Sequence, residues 1–127
     1  MPAGGILSTS DDLHKWNSAL YSGQFFKTET LAKMLTQSSK TEHPILGSVG
    51  YGYGIMMSSK PKSYFHSGYV KGSPSLLIYY PESKTSVVIV SNIADMDKGK
   101  ETVFVPHKRV KEIMDHAEEN QQRLNLN

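Results

Sequence analysis

The 127-residue chain contains no cysteine. Disulfide bonds, zinc–thiolate sites and cysteine nucleophiles are therefore excluded, because each of them needs a thiol. Long apolar runs are also missing, and no stretch approaches the roughly 20 apolar residues that a membrane-spanning helix needs. The first residues, MPAGGILSTSDD, lack the basic region and the apolar core of a signal peptide. The sequence thus predicts a soluble chain without a membrane span or a signal peptide.

Neither sign of charge predominates in this sequence. The 14 basic and 12 acidic side chains leave a formal net charge of +2. That balance gives no electrostatic reason to expect nucleic acid or an anionic membrane surface as a partner. The apolar share of 38% and the charged share of 20% are typical of a globular protein. We expect residues 1–127 to form one domain with a modest core, and no cofactor is predicted.

Several motifs of enzymes and metal-binding proteins are absent. Neither G-x-S-x-G nor G-x-x-x-x-G-K-[ST] occurs, and no two histidines have H-x-x-x-H spacing, so no metal site is predicted. The only S-x-x-K match is Ser59-Lys60-Pro61-Lys62. A serine with a lysine base needs both side chains on one helical turn, whereas this proline and its polar neighbours predict a loop. The glycines of GYGYG at 50–54 indicate a strand with close backbone approach, since no helix follows.

Three helices are predicted from the spacing of apolar residues. Hydroxyl side chains followed by two aspartates, in STSDD at 8–12, favour the first helix start. The predicted inner faces are Leu13, Trp16 and Leu20 in the first helix, Leu31, Met34 and Leu35 in a short helix from Thr28, and Val110, Ile113, Met114 and Ala117 in a last helix from near Pro106. We expect the tail, residues 118–127, to fray.

The segment between the second and the last helix predicts a loop and then a small sheet. Residues 37–50 are polar and rich in turn residues, which is typical of a loop. The predicted strands are 51–57, 63–66, 75–80 and 85–91, with a hairpin turn at 81–84. Short connections favour an antiparallel meander. The predicted fold class is therefore α+β, a meander of about four strands flanked by N-terminal helices and a C-terminal helix.

The stretch YFHSGYVKGSPS, from Tyr64 to Ser75, places His66 beside Ser67 and Gly68. Taken alone, these residues indicate a strand with a polar end and a turn, because a histidine on a strand is more often structural than catalytic. We predict that residues 64–68 pair with 51–57 and leave His66 and Ser67 within reach of a ligand.

Several segments, taken together, resemble the serine β-lactamase-like family. PAGGILSTSDDLHKWNSALYSG resembles the family's A-G-G-L-x-S-T-x-x-D-L segment and helix, and YGYGIMM resembles its Y-G-x-G strand. HSGYVKGSPSLLIYYPESKTSVVIVSNIAD resembles its H-x-G strand and the strands that follow. The resemblance runs in order from residue 2 to residue 95. The family includes class C β-lactamases, penicillin-binding proteins, D-amino-acid-releasing peptidases and esterases, which implies acyl transfer through an acyl-serine.

The resemblance implies roles for consecutive residues of one strand. His66 matches the basic position of the family's third motif, and it implies a hydrogen-bonding or positive group near the substrate carboxylate or the proton relay. Ser67 matches the hydroxyl position, and Gly68 the glycine that lets substrate pass close to the strand. The N–H of Tyr69 corresponds to one of two oxyanion-hole donors. Gly68 and Lys71 are assigned to substrate binding.

Two motifs of the family are missing from the sequence. No S-x-x-K occurs in a helical context, and no asparagine has a tyrosine or serine two positions before it. The chain is therefore predicted to be a C-terminal portion of a serine hydrolase, inactive alone, whose complete form acts on a small molecule or a peptide. Two alternatives stay open, a non-catalytic module that binds a peptide or small acid along the same strand, and an assembly domain without a ligand.

Self-association is predicted from the last strand, 85–91. Val87-Val88-Ile89-Val90 contains four consecutive β-branched residues without a charge, which is typical of a central strand. In the family, strands from the N-terminal part of the chain cover this strand, and they would precede Met1. An uncovered apolar edge templates pairing with another chain, so we expect a homodimer.

Overall fold

The computed structural model describes residues 4–70, 72–93 and 99–125. Its helices and strands, in chain order, are α1 (Ser10–Tyr21), α2 (Thr28–Met34), β1 (Ser39–His43), β2 (Gly47–Tyr51), β3 (Met56–Ser59), β4 (Lys62–Val70), β5 (Ser73–Tyr80), β6 (Thr85–Val90), α3 (Lys100–Val103) and α4 (Val105–Asn125). The strands form one antiparallel sheet in the order β1-β2-β3-β4-β5-β6. The predicted α+β meander is confirmed, with six strands instead of about four.

The prediction of a loop over residues 37–50 is wrong, because β1 and the start of β2 lie there. All of β1 except His43 is exposed, and its sequence is SKTEH. An edge strand that is solvated on both faces has no apolar alternation, so its sequence has the same polar composition as a loop. β1 thus forms by backbone pairing with β2 and not by burial of its own side chains.

Residues 51–57 were predicted to form one strand, but the structure contains two. β2 ends at Tyr51 and β3 begins at Met56, and the Gly52 N–H donates to the Ile55 carbonyl at 2.8 Å across the turn between them. Gly52 also packs against the Met34 carbonyl so closely that a Cβ would collide with it. The predicted close backbone approach is therefore confirmed. It occurs at Gly52, in the turn that separates β2 from β3.

Helix α1 covers one face of the sheet. Thr9 caps the helix by accepting from the Asp12 N–H at 3.2 Å, which agrees with the predicted start. Tyr21 stacks on Tyr79, with 4.3 Å between ring centroids. The predicted apolar face is only partly correct. Leu20 is buried, whereas Trp16 is 49% exposed.

Asn17 of α1 replaces Trp16 as a buried contact, with only 2% of its surface exposed. Its amide donates to the Ile78 carbonyl and to the Ser86 hydroxyl, both at 2.9 Å. A polar side chain is stable in this position because both hydrogens of the amide have acceptors.

The other face of the sheet carries the main core and α4. The buried residues of that core are Val49, Met56, Phe65, Leu76, Ile78 and Tyr80. Successive residues of a strand point to opposite faces, so Phe65 lies opposite to its neighbours Tyr64 and His66. Met114 of α4 packs on this core.

The inward face of α4 differs from the predicted one. Ile113 and Ala117 are exposed, and the buried residues are His107, Lys111 and Glu118. Burial of Glu118 is tolerated because its carboxylate accepts from the Ser83 hydroxyl at 2.6 Å. The helix continues to Asn125, across the segment for which the sequence predicts fraying.

The predicted hairpin turn at 81–84 connects β5 and β6, which pair from Tyr80 with Thr85 to Ser75 with Val90. None of the helices within the described ranges is long and apolar enough to cross a membrane.

Candidate functional site

β4 continues past its last pair with β3, and this continuation contains His66, Ser67 and Gly68. The β3–β4 ladder ends at the pair of Met56 with Phe65, whereas the β4–β5 ladder continues to Val70 with Ser73. The predicted pairing of residues 64–68 with 51–57 is thus correct for residues 64 and 65. The His66 side chain is exposed and Ser67 is half-buried, and both lie where β4 continues past its last pair with β3.

The His66 ring is held by two hydrogen bonds. Its Nδ1 lies 2.7 Å from the Ser67 carbonyl oxygen, which can only accept, so Nδ1 carries a hydrogen. In the neutral ring Nε2 then has a lone pair, and it accepts from the Tyr51 hydroxyl at 3.1 Å. The Tyr51 ring also meets the His66 ring edge-on, at 6.2 Å between centroids. Tyr51, from the Y-G-x-G segment, therefore sets the orientation of His66.

Ser67 is bonded to a residue that the sequence did not identify. His43 Nε2 lies 2.8 Å from Ser67 Oγ. The other ring nitrogen of His43, Nδ1, accepts from the backbone N–H groups of Ile45 and Leu46, both at 3.2 Å. Because Nδ1 accepts, the hydrogen of the neutral ring is on Nε2, and His43 donates to Ser67.

The direction of this hydrogen bond decides what the pair can do. A serine nucleophile needs a base whose nitrogen is free to take the hydroxyl proton. His43 Nε2 already carries a hydrogen, so it cannot act as that base for Ser67. His43 was missed because a histidine in a polar segment, 24 positions from its partner, belongs to no spacing motif.

The remaining predicted site residues continue along the same strand. Gly68 is half-buried, and a Cβ there would come within 2.8 Å of the Ser75 hydroxyl. Tyr69 places its ring 6.2 Å from that of Phe104. Lys71 lies outside the described residues. The structure thus brings His66, Ser67 and Gly68 together with two unpredicted residues, His43 and Tyr51.

The S-x-x-K match at 59–62 is part of a hairpin. Ser59 ends β3, Lys62 begins β4, and the two are paired across the turn. This geometry does not place the serine and the lysine on one helical turn, in agreement with the predicted loop. Within residues 4–70, 72–93 and 99–125, no three histidine, aspartate or glutamate side chains gather in a way that could hold a metal ion.

A cleft of about 550 Å³ lies between the β1–β2 turn and α4, beside His43. The charged groups that line it are Glu42 on β1 and Lys108, Lys111, Glu112 and Asp115 on α4. Burial of the ring, and then the nearby His66, lower the pKa of His43 below its ordinary value. A neutral His43 is also what its two backbone donors require.

Acidification is expected to destabilise the chain through His43. A histidine whose pKa is lower in the folded state contributes stability that is present above the unfolded value, about 6.5, and is lost as the pH falls toward the folded value. The variant His43→Asn keeps an acceptor for the turn but does not titrate. In melts between pH 8 and pH 4.5, we expect the wild type to lose stability relative to this variant below about pH 6.5. A constant difference between the two proteins would contradict the expectation.

Comparison with known proteins identifies a family and a related solved structure. A family model described as Beta-lactamase matches residues 1–105. A crystal structure of a D-stereospecific amidohydrolase from Streptomyces sp. superposes with a TM-score of 0.56 and 27% sequence identity. The match covers 78% of this chain and 30% of that chain, so the chain spans less than a third of the amidohydrolase. The search of curated proteins found no significant match.

Proposed function

Because the chain belongs to the β-lactamase family, we propose that it supplies the H-x-G strand and one oxyanion-hole wall of an acyl-transferring serine hydrolase. The observation that carries the proposal is that β4 continues through His66, Ser67 and Gly68 past its last pair with β3, with the His66 side chain exposed. A substrate can lie along a strand end of this kind and meet backbone N–H groups that are already oriented.

The proposal assigns roles to four residues of the segment 66–71. The N–H of Tyr69 is one of two donors to the oxyanion, and Gly68 allows the substrate backbone to approach. His66 offers the Nε2 lone pair beside the Tyr51 hydroxyl, where it takes part in the proton relay, or, with a hydrogen on Nε2 as well, binds the substrate carboxylate. Lys71 contributes to substrate binding.

The substrate class that we propose is an amide with a D-configured residue. The name of the Streptomyces relative, a D-stereospecific amidohydrolase, supports this choice. In the reaction, a serine oxygen attacks the amide carbonyl, the carbonyl oxygen becomes the oxyanion, and the amine leaves with a proton. Water then releases the acid from the acyl-serine.

The attacking serine is assigned to a part of the hydrolase outside this chain. The S-x-x-K match lies in a hairpin, and His43 donates to Ser67 instead of accepting its proton. The chain alone is therefore expected to bind an amide without hydrolysing it. We also propose that two copies pair through β6, which has one strand neighbour among the described strands.

Titration with a matched pair of enantiomers tests the site. N-acetyl-D-alaninamide should shift the backbone NMR signals of Ser67, Gly68 and Tyr69 in a saturable way, and the L-enantiomer should shift them less. His66→Ala should weaken this binding while changing the free energy of unfolding by less than about 0.5 kcal/mol, since His66 is exposed. Mass spectrometry after incubation with a fluorescent penicillin should find no adduct on the chain.

Other outcomes would contradict specific parts of the proposal. Shifts outside β4, or equal shifts with both enantiomers, would argue against the site. An adduct on any serine would overturn the external nucleophile. A chimera in which this chain replaces the matching part of the Streptomyces amidohydrolase distinguishes the hydrolase from the alternative, a non-catalytic binding or assembly module. The hydrolase proposal expects D-amide cleavage by a folded chimera, and the alternative expects none.

A further inference from the structure

We propose that His43 is a positioning residue for Ser67, which fixes the serine hydroxyl as a hydrogen-bond donor toward an acceptor oxygen of the ligand. The inference rests on the proposed function, because it concerns a residue of the same site. His43 lies on a different strand, β1, and outside the H-x-G segment. The β1–β2 turn brings its ring to Ser67, with 2.8 Å between Nε2 and Oγ.

The position of the His43 ring is set by the backbone of its own turn. His43 and Gly47 form the last pair of the β1–β2 ladder. Between them, the N–H groups of Ile45 and Leu46 both point at Nδ1 from 3.2 Å. Because Nδ1 accepts from both donors, the hydrogen of the neutral ring is on Nε2. The Nε2–H is thereby oriented before any ligand arrives.

The consequence for Ser67 follows from the valence of a hydroxyl group. A serine oxygen accepts through its lone pairs and donates one hydrogen. Because the Nε2–H of His43 occupies one lone pair of Ser67 Oγ, the hydroxyl hydrogen points away from His43. Within the described parts of the chain, Ser67 Oγ has no hydrogen-bond partner besides His43. The hydrogen is therefore available to an acceptor oxygen of the ligand, a carbonyl or a carboxylate.

Two substitutions separate this role from a role in stabilising the turn. In His43→Asn, the side-chain oxygen can replace Nδ1 as acceptor for the turn, but the side chain is too short to donate to Ser67. In His43→Gln, the side-chain NH₂ can reach the position of Nε2–H, but the acceptor for the turn is lost. The full chain is used in each case, and thermal melting verifies that each variant is folded.

The measurements are the His43 tautomer, from long-range ¹H–¹⁵N correlations, and the Ser67 side-chain rotamer, from Hα–Hβ couplings. At neutral pH, we expect the wild-type ring to be protonated on Nε2 only. Ser67 should populate one rotamer in the wild type and in His43→Gln, and should average over rotamers in His43→Asn. The Leu46 amide should exchange faster in His43→Gln than in His43→Asn.

A residue that acts only on the turn would give the opposite order, with Ser67 fixed in His43→Asn and averaged in His43→Gln. That result would overturn the proposal. Equal behaviour of Ser67 in both variants, or protonation of the wild-type ring on Nδ1, would also overturn it. The wild-type tautomer alone keeps the proposal falsifiable if a variant fails to fold.

Binding of N-acetyl-D-alaninamide supplies an independent arm of the experiment. Loss of one hydrogen bond should weaken binding about fivefold in His43→Asn, with a smaller change in His43→Gln. Equal affinities of the wild type and His43→Asn would overturn the proposal. The tautomer and the rotamers need neither ligand nor turnover. A failure of the proposed hydrolase function is therefore distinguishable from a failure of this inference.

Discussion

Replacing Asp115 by alanine should lower the free energy of unfolding by about 2 kcal/mol, because two donors lose the partly buried carboxylate that they share. Asp115 accepts from Lys111 Nζ at 2.6 Å and from the Tyr80 hydroxyl at 2.7 Å. Only 7% of Lys111 and 1% of Tyr80 are exposed. The substitution leaves the Lys111 ammonium and the Tyr80 hydroxyl without their shared acceptor beside the cleft.

Two features make this cost larger than that of an ordinary ion pair. Lys111 also lies over the Phe65 ring, 5.0 Å from its centroid, so it cannot simply turn toward water without losing that contact. Burial, and then the hydrogen bond to Asp115, raise the pKa of Tyr80, which keeps the phenol a donor. For a small domain, such a loss is a large fraction of the total stability of about 5–15 kcal/mol.

Urea denaturation followed by circular dichroism measures the effect, and α4 offers a matched control. Glu112 forms an exposed pair with Lys108 at 3.9 Å, with the same spacing of four residues. Glu112→Ala should change the free energy of unfolding by less than about 0.5 kcal/mol. Adding Lys111→Met to Asp115→Ala should recover part of the loss, because it removes the unpaired cation. Equal costs for Asp115→Ala and Glu112→Ala would contradict the structural role of this network.

We expect the chain to form a dimer through β6, and we expect replacement of Val90 by lysine to leave it monomeric. β6 has β5 as a neighbour on one side, and its segment Val87-Val88-Ile89-Val90 contains no charge or proline to block pairing on the other. Val90 is 47% exposed, so a lysine there is accommodated in the monomer. A charged side chain on the edge strand disfavours pairing with another strand, because the charge would be desolvated on pairing.

Light scattering at micromolar concentration tests this prediction. The wild type should show twice the chain mass of 14.1 kDa, and Val90→Lys should show that mass itself. Val105→Lys is the matched control, since Val105 is 50% exposed but lies on α4, and it should remain dimeric. A monomeric wild type, or a dimeric Val90→Lys variant, would argue against pairing through β6.

The sequence correctly predicts those helices and strands in which the pattern of apolar and polar residues matches the burial of the side chains. β5 and β6 contain apolar β-branched and aromatic residues around a turn with proline, and both were predicted to within two residues of their ends. β1 was missed because an exposed edge strand obeys no burial pattern. Trp16 and Ile113 were placed inward by apolar periodicity, but polar residues with specific partners, Asn17 and Lys111, occupy those contacts.

The site was predictable only where residues are adjacent in the chain. His66, Ser67 and Gly68 form a local motif, and the resemblance to the family assigned their roles. The two residues that orient them, Tyr51 and His43, come from other strands. Their contacts depend on where the pairing between β3 and β4 stops and on how the β1–β2 turn approaches β4. Neither is a local property of the sequence.

The side-chain amide of Asn17 helps to set the register between β5 and β6. Four similar β-branched residues in a row give β6 almost the same side chains on both faces, so a slip by one position would hardly change its apolar burial. Ser86, however, would move to the opposite face and leave the Asn17 amide with one acceptor fewer. A single pair of polar groups thus discriminates between two alignments that the hydrophobic effect treats as nearly equal. Exchange of Asn17 for leucine should yield a stable sheet that samples both.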